Sequence, residues 1–462
     1  MAKRPNVLFL MSDEHRPDVT GYAGNRIIRT PVLDELAETG TVFRNAYTPA
    51  PICIPGRQCL MAGQLPRTAG CQVFSEDLSP GHMTFARRFA QWGYMTTVGG
   101  KLHHQGVDQM QGWTRRIAGD IALAPQYVLD RQEEEFARHV RPTSTVKWSD
   151  AKEIHRAGIG QGPHVVEDAF TVQGVLNFIE EYFGSPAYDR EQTDRPLVLK
   201  VSLVQPHYPY TADAEKFGYY LNRVQPFLDQ VVSPHPFLSR RQVRPGIDAS
   251  EREIRRATAA YYAMIQTIDE HYGAVLSALR RVGQDLDDWI VVYTSDHGEM
   301  LGEHGIWEKQ KFYEASVRVP LIIRWPRRFP SRQIVDENVS LCDLFATLCD
   351  LADIPTPPDL DSRSLVPLLA GERSGWLDEA VSQFGMHNLM IKRGALKYQY
   401  YGAEMPEVLF DLARDPGETR DFIDDLAYAS AVATFRARRG ELGHGPNADR
   451  AYVNAGYARV AH

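Results

Sequence analysis

The sequence predicts a layered α/β protein that ends in a smaller antiparallel unit, and three observations indicate this. First, helical patterns alternate with apolar runs typical of buried strands, at residues 6–11, 94–99, 196–204, 288–294 and 319–325. Second, after Gly375 the pattern changes to short strands, 394–401 and 408–412, and a polar helical tail. Third, 462 residues are enough for one large domain and a smaller one. We therefore expect a large domain over residues 1–375 and a small one over 376–462.

Local signals mark two helices and one irregular segment. Thr30 and Pro31 form a good helix start, with Thr as the cap and Pro at the first position, and Gly40 is the matching stop. Ser250 and Glu253 have the spacing of a capping box and open a long helix to about residue 282. Residues 125–163 are charged and have little periodicity, so we expect an irregular surface excursion there, as a solvated loop rather than a lid.

Composition excludes several classes of protein. The chain has 51 basic and 59 acidic residues and a net charge of −8, which argues against general binding to nucleic acid or to a membrane surface. No apolar run approaches the ~20 residues that span a bilayer. The first apolar run, 6–11, is too short for a secretion signal. Five cysteines, an odd number, predict a reducing compartment without a disulfide framework, and we expect a cytoplasmic protein.

Cys53 opens the most informative segment of the chain, Cys-Ile-Pro-Gly-Arg, which ends at Arg57. A lone cysteine is most often a small buried hydrophobic residue. A cysteine-phosphatase loop would need an arginine six positions later, where Cys59 stands. A zinc cluster fits poorly because Cys53, Cys59 and Cys71 form no C-x-x-C pair. The C-x-P-x-R pattern alone is short, and its meaning depends on the other motifs.

This pattern, followed by a short helical stretch that closes on Gly63, resembles the signature of the type I sulfatases. In that family the cysteine is oxidised to formylglycine, whose aldehyde hydrate is the nucleophile. A geminal diol can attack with one oxygen and then expel sulfate by collapsing to the aldehyde through the other, which is covalent catalysis with a built-in exit. The resemblance implies that Cys53 is modified by a formylglycine-generating enzyme and that Arg57 orients the diol.

Acidic residues follow two of the predicted strands and indicate a metal site. Asp13 follows the first strand, and Asp296 with His297 follows the strand at 288–294. Such residues converge at the carboxyl ends of strands in an open α/β sheet, although each alone would be read as a turn cap or an ordinary loop residue. The resemblance implies one divalent ion held by Asp13, Asp296, His297 and modified Cys53. Ca²⁺ is the first choice, with Mn²⁺ or Mg²⁺ as alternatives. Many sulfatases have a second Asp where Glu14 stands, so Glu14 is only a weak fifth ligand.

Three further segments resemble the sulfate-binding half of the family's site. Lys101 and His103 lie in a G-K-x-H segment, His207 lies in a P-H-x-P segment, and the register of a third segment selects Lys309, with Lys311 expected at the surface. The resemblance implies that the two selected lysines bind sulfate oxygens. His207, with Lys309, would protonate or hydrogen-bond the leaving oxygen, and His103 would take the proton when the adduct collapses.

The resemblance covers nearly the whole chain, including the helix at 30–37 and the small-domain segment at 409–419. It implies the alkaline-phosphatase-like fold, a large mixed central sheet flanked by helices plus a small C-terminal antiparallel sheet. Residues 100–113 look most like choline sulfatases, whereas 118–127 depart from them. An aromatic cage for a quaternary ammonium could draw on Trp113, Tyr127, Tyr208 and Tyr210. His387 could line the pocket, but a role outside it is favoured.

We therefore expect an enzyme that hydrolyses aryl or small alkyl sulfate monoesters, without nucleic-acid or membrane partners, and that forms a dimer or tetramer. The first alternative is a phosphodiesterase or phosphonate monoester hydrolase of the same fold, because its substrates also carry one negative charge. The second is a choline sulfatase. A third alternative is a catalytically silent binding protein, which would have Cys53 unmodified or a metal ligand missing. A fourth is a metallophosphatase that uses unmodified Cys53.

Overall fold

The computed structural model describes residues 4–74, 76–118, 151–184 and 195–449. Its strands, in chain order, are β1 Val7–Ser12, β2 Thr41–Phe43, β3 Ala46–Tyr47, β4 Met95–Gly100, β5 Arg115–Arg116, β6 Gly158–Ile159, β7 Leu197–Ser202, β8 Thr211–Ala212, β9 Ile290–Ser295, β10 Arg318–Val319, β11 Leu321–Arg324, β12 Gln333–Val335, β13 Val339–Ser340, β14 Glu379–Phe384, β15 Asn388–Arg393, β16 Leu396–Tyr401 and β17 Val408–Asp411.

The α-helices surround these strands, and short 3₁₀ turns lie at Leu286–Asp288, Glu303–Gly305 and Leu426–Tyr428. The α-helices are α1 Pro31–Thr39, α2 Cys53–Ala62, α3 Pro66–Ala69, α4 Phe85–Gln91, α5 Ala151–His155, α6 Pro163–Gly184, α7 Ala214–Leu221, α8 Glu251–Arg281, α9 Glu314–Val317, α10 Asp343–Leu351, α11 Val366–Leu369 and α12 Ala429–Glu441.

A mixed eight-stranded sheet forms the centre of the large part of the chain. Its strand order is β12-β2-β11-β9-β1-β7-β4-β5. Strands β9, β1, β7 and β4 run parallel, whereas β11 is antiparallel to both β9 and β2. All five strands predicted from apolar runs are present in this sheet. The large mixed sheet expected from the sequence is therefore confirmed.

Helices cover both faces of the central sheet, which explains why its inner strands β1, β7 and β9 are buried along their whole length. In β1, Val7, Phe9 and Met11 face one core, which contains residues of α4 and α10. Leu8 and Leu10 face a second core with residues of α6 and α8. The capping box predicted at Ser250 is present at the start of α8. Thr30, expected to cap α1, makes no side-chain cap bond, because its hydroxyl accepts from Gly21 and donates to Asp34.

The predicted C-terminal strands form a four-stranded antiparallel sheet in the order β14-β15-β16-β17. Helix α12 packs on one face, where Phe435 stacks on Tyr398 with ring centroids 5.5 Å apart. Another apolar cluster joins this sheet to the large part of the chain and includes Phe312 and Phe410. The buried Lys397 adds an ion pair to Glu314 (3.0 Å) across the same boundary. A division at residue 375 remains a proposal about folding units.

The expected excursion at 125–163 falls mainly outside the described residues. Its end is more regular than predicted, because α5 precedes β6, which pairs in parallel with β8. All five cysteines are buried and free, as expected of a chain without a disulfide framework. Within the described part of the chain, no helix has the length and apolar character required to cross a bilayer.

Candidate active site

The candidate site lies where four parallel strands end at the same edge of the central sheet. Ser12 at the end of β1 is opposite Ser295 at the end of β9, so Asp13 and Asp296 follow at the same level. Gly100 at the end of β4 is likewise opposite Ser202 at the end of β7, and Lys101 follows it. The segment with His207 continues from β7, and Cys53 is the first residue of α2. The topology thus brings distant sequence motifs together.

Asp13, Cys53, Asp296 and His297 form a buried group of possible metal ligands. One ligand atom from each lies within 4.8 Å of the others. Cys53 Sγ is 3.2 Å from His297 Nε2 and 3.7 Å from Asp13 Oδ1. His297 Nδ1 lies 3.0 Å from the carbonyl of Gly298, which fixes the tautomer that leaves Nε2 as a ligand. Burial, reinforced by the Asp13 charge, raises the pKa of the Cys53 thiol to about 11.

Arg57 is fully buried and joins the two carboxylates. Its Nε donates to Oδ2 of Asp296 (2.7 Å), and its Nη2 donates to Oδ2 of Asp13 (2.8 Å). Its Nη1 donates to the hydroxyl of Ser202 (2.8 Å) and to the carbonyl of Lys101 (3.0 Å). These bonds hold the carboxylates of Asp13 and Asp296 in place, and the orientation of the diol expected of Arg57 stays a prediction.

Lys101 follows the end of β4 and pairs with Asp13, and His103 lies two residues further along the chain. Lys101 Nζ is 2.6 Å from Oδ2 of Asp13. Burial would raise the pKa of Asp13, but the charges of Lys101 and Arg57 outweigh it and hold that pKa well below its usual range. Burial and then the Lys101 charge lower the pKa of His103, so its imidazole is neutral at pH 7. A neutral His103 beside a cationic Lys101 can accept a proton within the site.

Lys309 and His207 form a second pair of candidate residues, in contact with each other. Lys309 Nζ is 2.7 Å from His207 Nε2 and donates to Oε2 of Glu14 (2.9 Å). His207 Nδ1 is 2.6 Å from the carbonyl of Tyr208, so Nδ1 carries the proton and Nε2 accepts from Lys309. Burial and then the Lys309 charge lower the pKa of His207. Burial would also lower the pKa of Lys309, but its interactions with Cys53 and Glu14 raise that pKa above its usual range.

A cavity of about 210 Å³ opens onto these groups. Its lining includes five of the predicted site residues: Cys53, Lys101, His103, His207 and Lys309. Sequence reasoning missed Phe74, His164 and Gln310, which also line the cavity. The ring of His164 meets that of His207 edge-on with centroids 5.6 Å apart. His164 follows Pro163 at the start of α6, and no recognised motif surrounds it that could have identified it.

Lys311, expected at the surface, is buried. Its Nζ donates to the carbonyl of Phe237 (2.6 Å) and lies 4.2 Å from the centre of that ring. The segment around Phe237 covers Lys311, and the buried ammonium donates to a backbone carbonyl of that segment instead of to water. His387 is not among the described lining residues and lies 3.8 Å from Asp449 through its Nδ1, in agreement with the preference for a role outside the pocket.

The described aromatic residues do not form the cage considered for a quaternary ammonium. Trp113 packs against Phe85 in the core, and Tyr210 is buried with its hydroxyl donating to Glu299. Tyr127 lies outside the described residues. Tyr208 does line the cavity, but Lys309 Nζ already lies 4.7 Å from the centre of its ring. The described part of the pocket is therefore a poor match to such a cage.

Comparison with known proteins identifies the family. The sequence model described as Sulfatase matches residues 5–354, and the model described as N-sulphoglucosamine sulphohydrolase, C-terminal, matches residues 302–443. The chain is 30% identical to a choline-sulfatase of Rhizobium meliloti (strain 1021), over 94% of this chain and 86% of that protein. It is also 30% identical to arylsulfatase K of Bos taurus, over 90% of this chain and 77% of that protein.

Solved structures share the fold. The phosphonate monoester hydrolase of Agrobacterium radiobacter superposes with a TM-score of 0.76 at 23% identity, over 95% of both chains. This likeness, together with the mixed sheet and the small antiparallel sheet, confirms the alkaline-phosphatase-like fold expected from the motifs. Because the Sulfatase model spans most of its length, this chain belongs to the sulfatase family.

Proposed function

We propose that this protein hydrolyses aryl or small alkyl sulfate monoesters to an alcohol or phenol and inorganic sulfate. One observation carries the proposal: Cys53, at the start of α2, lies within 4.8 Å of three potential metal ligands and lines a cavity with two lysines. This arrangement offers a nucleophile position, a cation position and two fixed positive charges for one small anion. Relatives named choline-sulfatase and arylsulfatase K support the same reaction class.

The donor set supports one divalent ion at Asp13, Asp296, His297 and residue 53. Arg57 engages Oδ2 of both carboxylates, whereas Oδ1 of Asp13 lies 3.8 Å from His297 Nε2, inside the group. Carboxylate oxygens favour Ca²⁺ or Mg²⁺, and the imidazole adds Mn²⁺ as an alternative. Such an ion would offset negative charge on the sulfate oxygens as a Lewis acid. Ca²⁺ remains our first choice.

The side chains around residue 53 can carry out the remaining steps. The hydrated aldehyde that we propose at residue 53 attacks sulfur with the oxyanion of one hydroxyl and keeps its second hydroxyl for the release of sulfate. Lys101 and Lys309 bind the non-bridging sulfate oxygens. When the bond from sulfur to the leaving oxygen breaks, its electron pair stays on that oxygen, which takes a proton from Lys309. The neutral His103 accepts the proton of the second hydroxyl, whose electron pair forms the aldehyde C=O as the bond from carbon to the sulfate oxygen breaks and sulfate leaves.

The hydrogen bonds of His207 favour a different division of roles between Lys309 and His207. His207 already carries its proton on Nδ1, directed at the Tyr208 carbonyl, and its Nε2 accepts from Lys309. We therefore assign the leaving-group proton to Lys309 and the orientation of its ammonium to His207. We further propose that a formylglycine-generating enzyme modifies Cys53. The protein is proposed to be cytoplasmic and to assemble into a dimer or tetramer. The five buried free cysteines support the reducing compartment.

Paired aryl esters test the proposed substrate class. We expect a higher kcat/KM for 4-nitrophenyl sulfate than for methyl 4-nitrophenyl phosphate and 4-nitrophenyl phenylphosphonate, because these share a leaving group and a single negative charge. Steady-state release of 4-nitrophenol measures all three. A tenfold preference for a phosphorus ester would replace the proposal with the phosphodiesterase or phosphonate hydrolase alternative, and hydrolysis of none would support the silent binding protein.

A further inference from the structure

Glu14 occupies the position at which many sulfatases carry a second aspartate as a metal ligand, but its side chain has a different partner. Its Oε2 accepts from Lys309 Nζ (2.9 Å) and lies 3.6 Å from His207 Nε2. The backbone of Glu14 has φ +66°, in the left-handed region that non-glycine residues seldom adopt, and its N–H donates to Oδ1 of Asp296 (3.1 Å). In this turn after β1, the side chain of Asp13 contacts Lys101 and Arg57, whereas that of Glu14 contacts Lys309.

The ammonium of Lys309 occupies the position that a second cation would need. Asp13, Glu14 and His207 bring ligand atoms within 4.8 Å of one another, as a metal site would. However, Lys309 Nζ already contacts both Glu14 Oε2 and His207 Nε2, at 2.9 and 2.7 Å. A metal ion bound to those two atoms would have to displace the lysine. The group is therefore better described as a fixed cation site filled by the protein's own side chain.

Hydrogen-bond directions fix what this group can do. The Lys309 ammonium has three protons, of which one goes to Glu14 and one to His207. The third remains for a ligand in the cavity that Lys309 lines with Cys53. Lys309 is only 5% exposed and shares this cavity with a second cation, Lys101, so an unpaired ammonium here would be costly. Glu14 Oε2 accepts a hydrogen bond from this ammonium at 2.9 Å and so fixes its direction.

We propose that Glu14 is a positioning residue that directs the Lys309 ammonium at the leaving oxygen, and that it is not a metal ligand. The inference rests on the proposed function, because it gives Glu14 a role in protonating the leaving group. Glu14, the acidic residue that follows Asp13, then acts together with the proton donor Lys309 and not with the metal centre.

The variant Glu14→Gln tests the inference with two independent readouts. We expect kcat for phenyl sulfate and for an alkyl sulfate to fall by roughly a hundredfold, whereas kcat for 4-nitrophenyl sulfate, whose leaving group needs little protonation, falls far less. The dependence of rate on leaving-group pKa should therefore steepen. Metal content and metal affinity of the purified protein, measured by elemental analysis and calorimetry, should match the wild type.

Two further variants keep the test decisive. Glu308→Gln is the matched control, since Glu308 is also a buried carboxylate beside Lys309 but pairs with Arg241 (3.0 Å), and we expect the wild-type leaving-group dependence. If Glu14→Gln folds poorly, the double variant Glu14→Gln/Lys309→Gln removes both buried charges. In the Lys309→Gln background, the glutamate substitution should have little further effect on kcat, because both act through one proton donor.

Three outcomes would overturn the inference. A loss of metal affinity in Glu14→Gln would make Glu14 a ligand, and this readout does not depend on turnover. An equal loss of kcat for all leaving groups, or no loss at all, would remove Glu14 from proton transfer while the wild-type activity stands. If the wild type hydrolyses no sulfate ester, the proposed function fails first and this inference falls with it.

Discussion

Replacing Cys53 by alanine is expected to abolish sulfate-ester turnover while the protein stays folded. The side chain is buried at the first turn of α2, between His297 and Asp13, and alanine at this position has no thiol that could be oxidised to the proposed formylglycine. The loss should reach roughly 10⁴-fold or more in kcat/KM, as is usual when a nucleophile is removed. Alanine suits a helix, so the far-UV circular dichroism and the melting temperature should change little.

Cys59→Ala is the matched control for that variant. Cys59 lies in the same helix and is also buried, but its thiol lies against the Cys71 carbonyl, away from the cavity. We expect it to lose some stability through a small core cavity and to retain turnover. Substantial sulfatase activity in a clean preparation of Cys53→Ala would contradict the proposed nucleophile.

Replacing Arg57 by alanine is expected to cause the largest loss of stability of any single change in the site. The guanidinium is fully buried and bonds to Asp13 and Asp296, both also fully buried. Its removal leaves two carboxylates close together without their shared partner, which should cost roughly 3–5 kcal/mol in the free energy of unfolding. Urea unfolding of the metal-free protein measures this cost, and the affinity for the divalent ion should change as the carboxylates lose their orientation.

Arg57→Lys and Arg88→Ala separate the contributions to that loss. The lysine keeps one charge but cannot make the two-sided contact, so we expect an intermediate loss. Arg88 bonds to the carbonyl of Pro355 at the surface, and its removal should change stability by no more than about 0.5 kcal/mol. If Arg57→Ala unfolds at the same urea concentration as Arg88→Ala, the buried bridge does not have the structural role assigned to it.

The central strands could be predicted because local sequence decides them. Each is an apolar run buried on both faces, and β1 has no exposed position. The order and direction of the strands could not be predicted from the same runs, because they depend on how the helices pack against the two faces of the sheet. Very short strands such as β5 and β8 have two residues each and carry no periodicity. The side-chain cap bond expected of Thr30 is absent because its hydroxyl bonds to the Gly21 N–H and the Asp34 carboxylate instead of to an N–H of the first helical turn.

The residues of the site could be selected from motifs, whereas their individual roles required the structure. Motif spacing selected Asp13 and Lys309, and strand ends explained how they could meet. The roles of Arg57 and Glu14 depend on partners far away in sequence, respectively Asp296 and Lys309. His164 reaches the cavity only because α6 begins beside the His207 segment, a tertiary feature without a local signal.

Peptide mass spectrometry across residue 53 tests the central claim most directly. Conversion of cysteine to formylglycine makes the residue about 18 Da lighter, a covalent change that is measured without any choice of substrate. For protein purified from its native host, we predict that the peptide containing residue 53 carries this loss and that the peptide containing Cys71 does not. A residue 53 that is cysteine throughout in active protein would contradict the account, because the proposed nucleophile would then be absent.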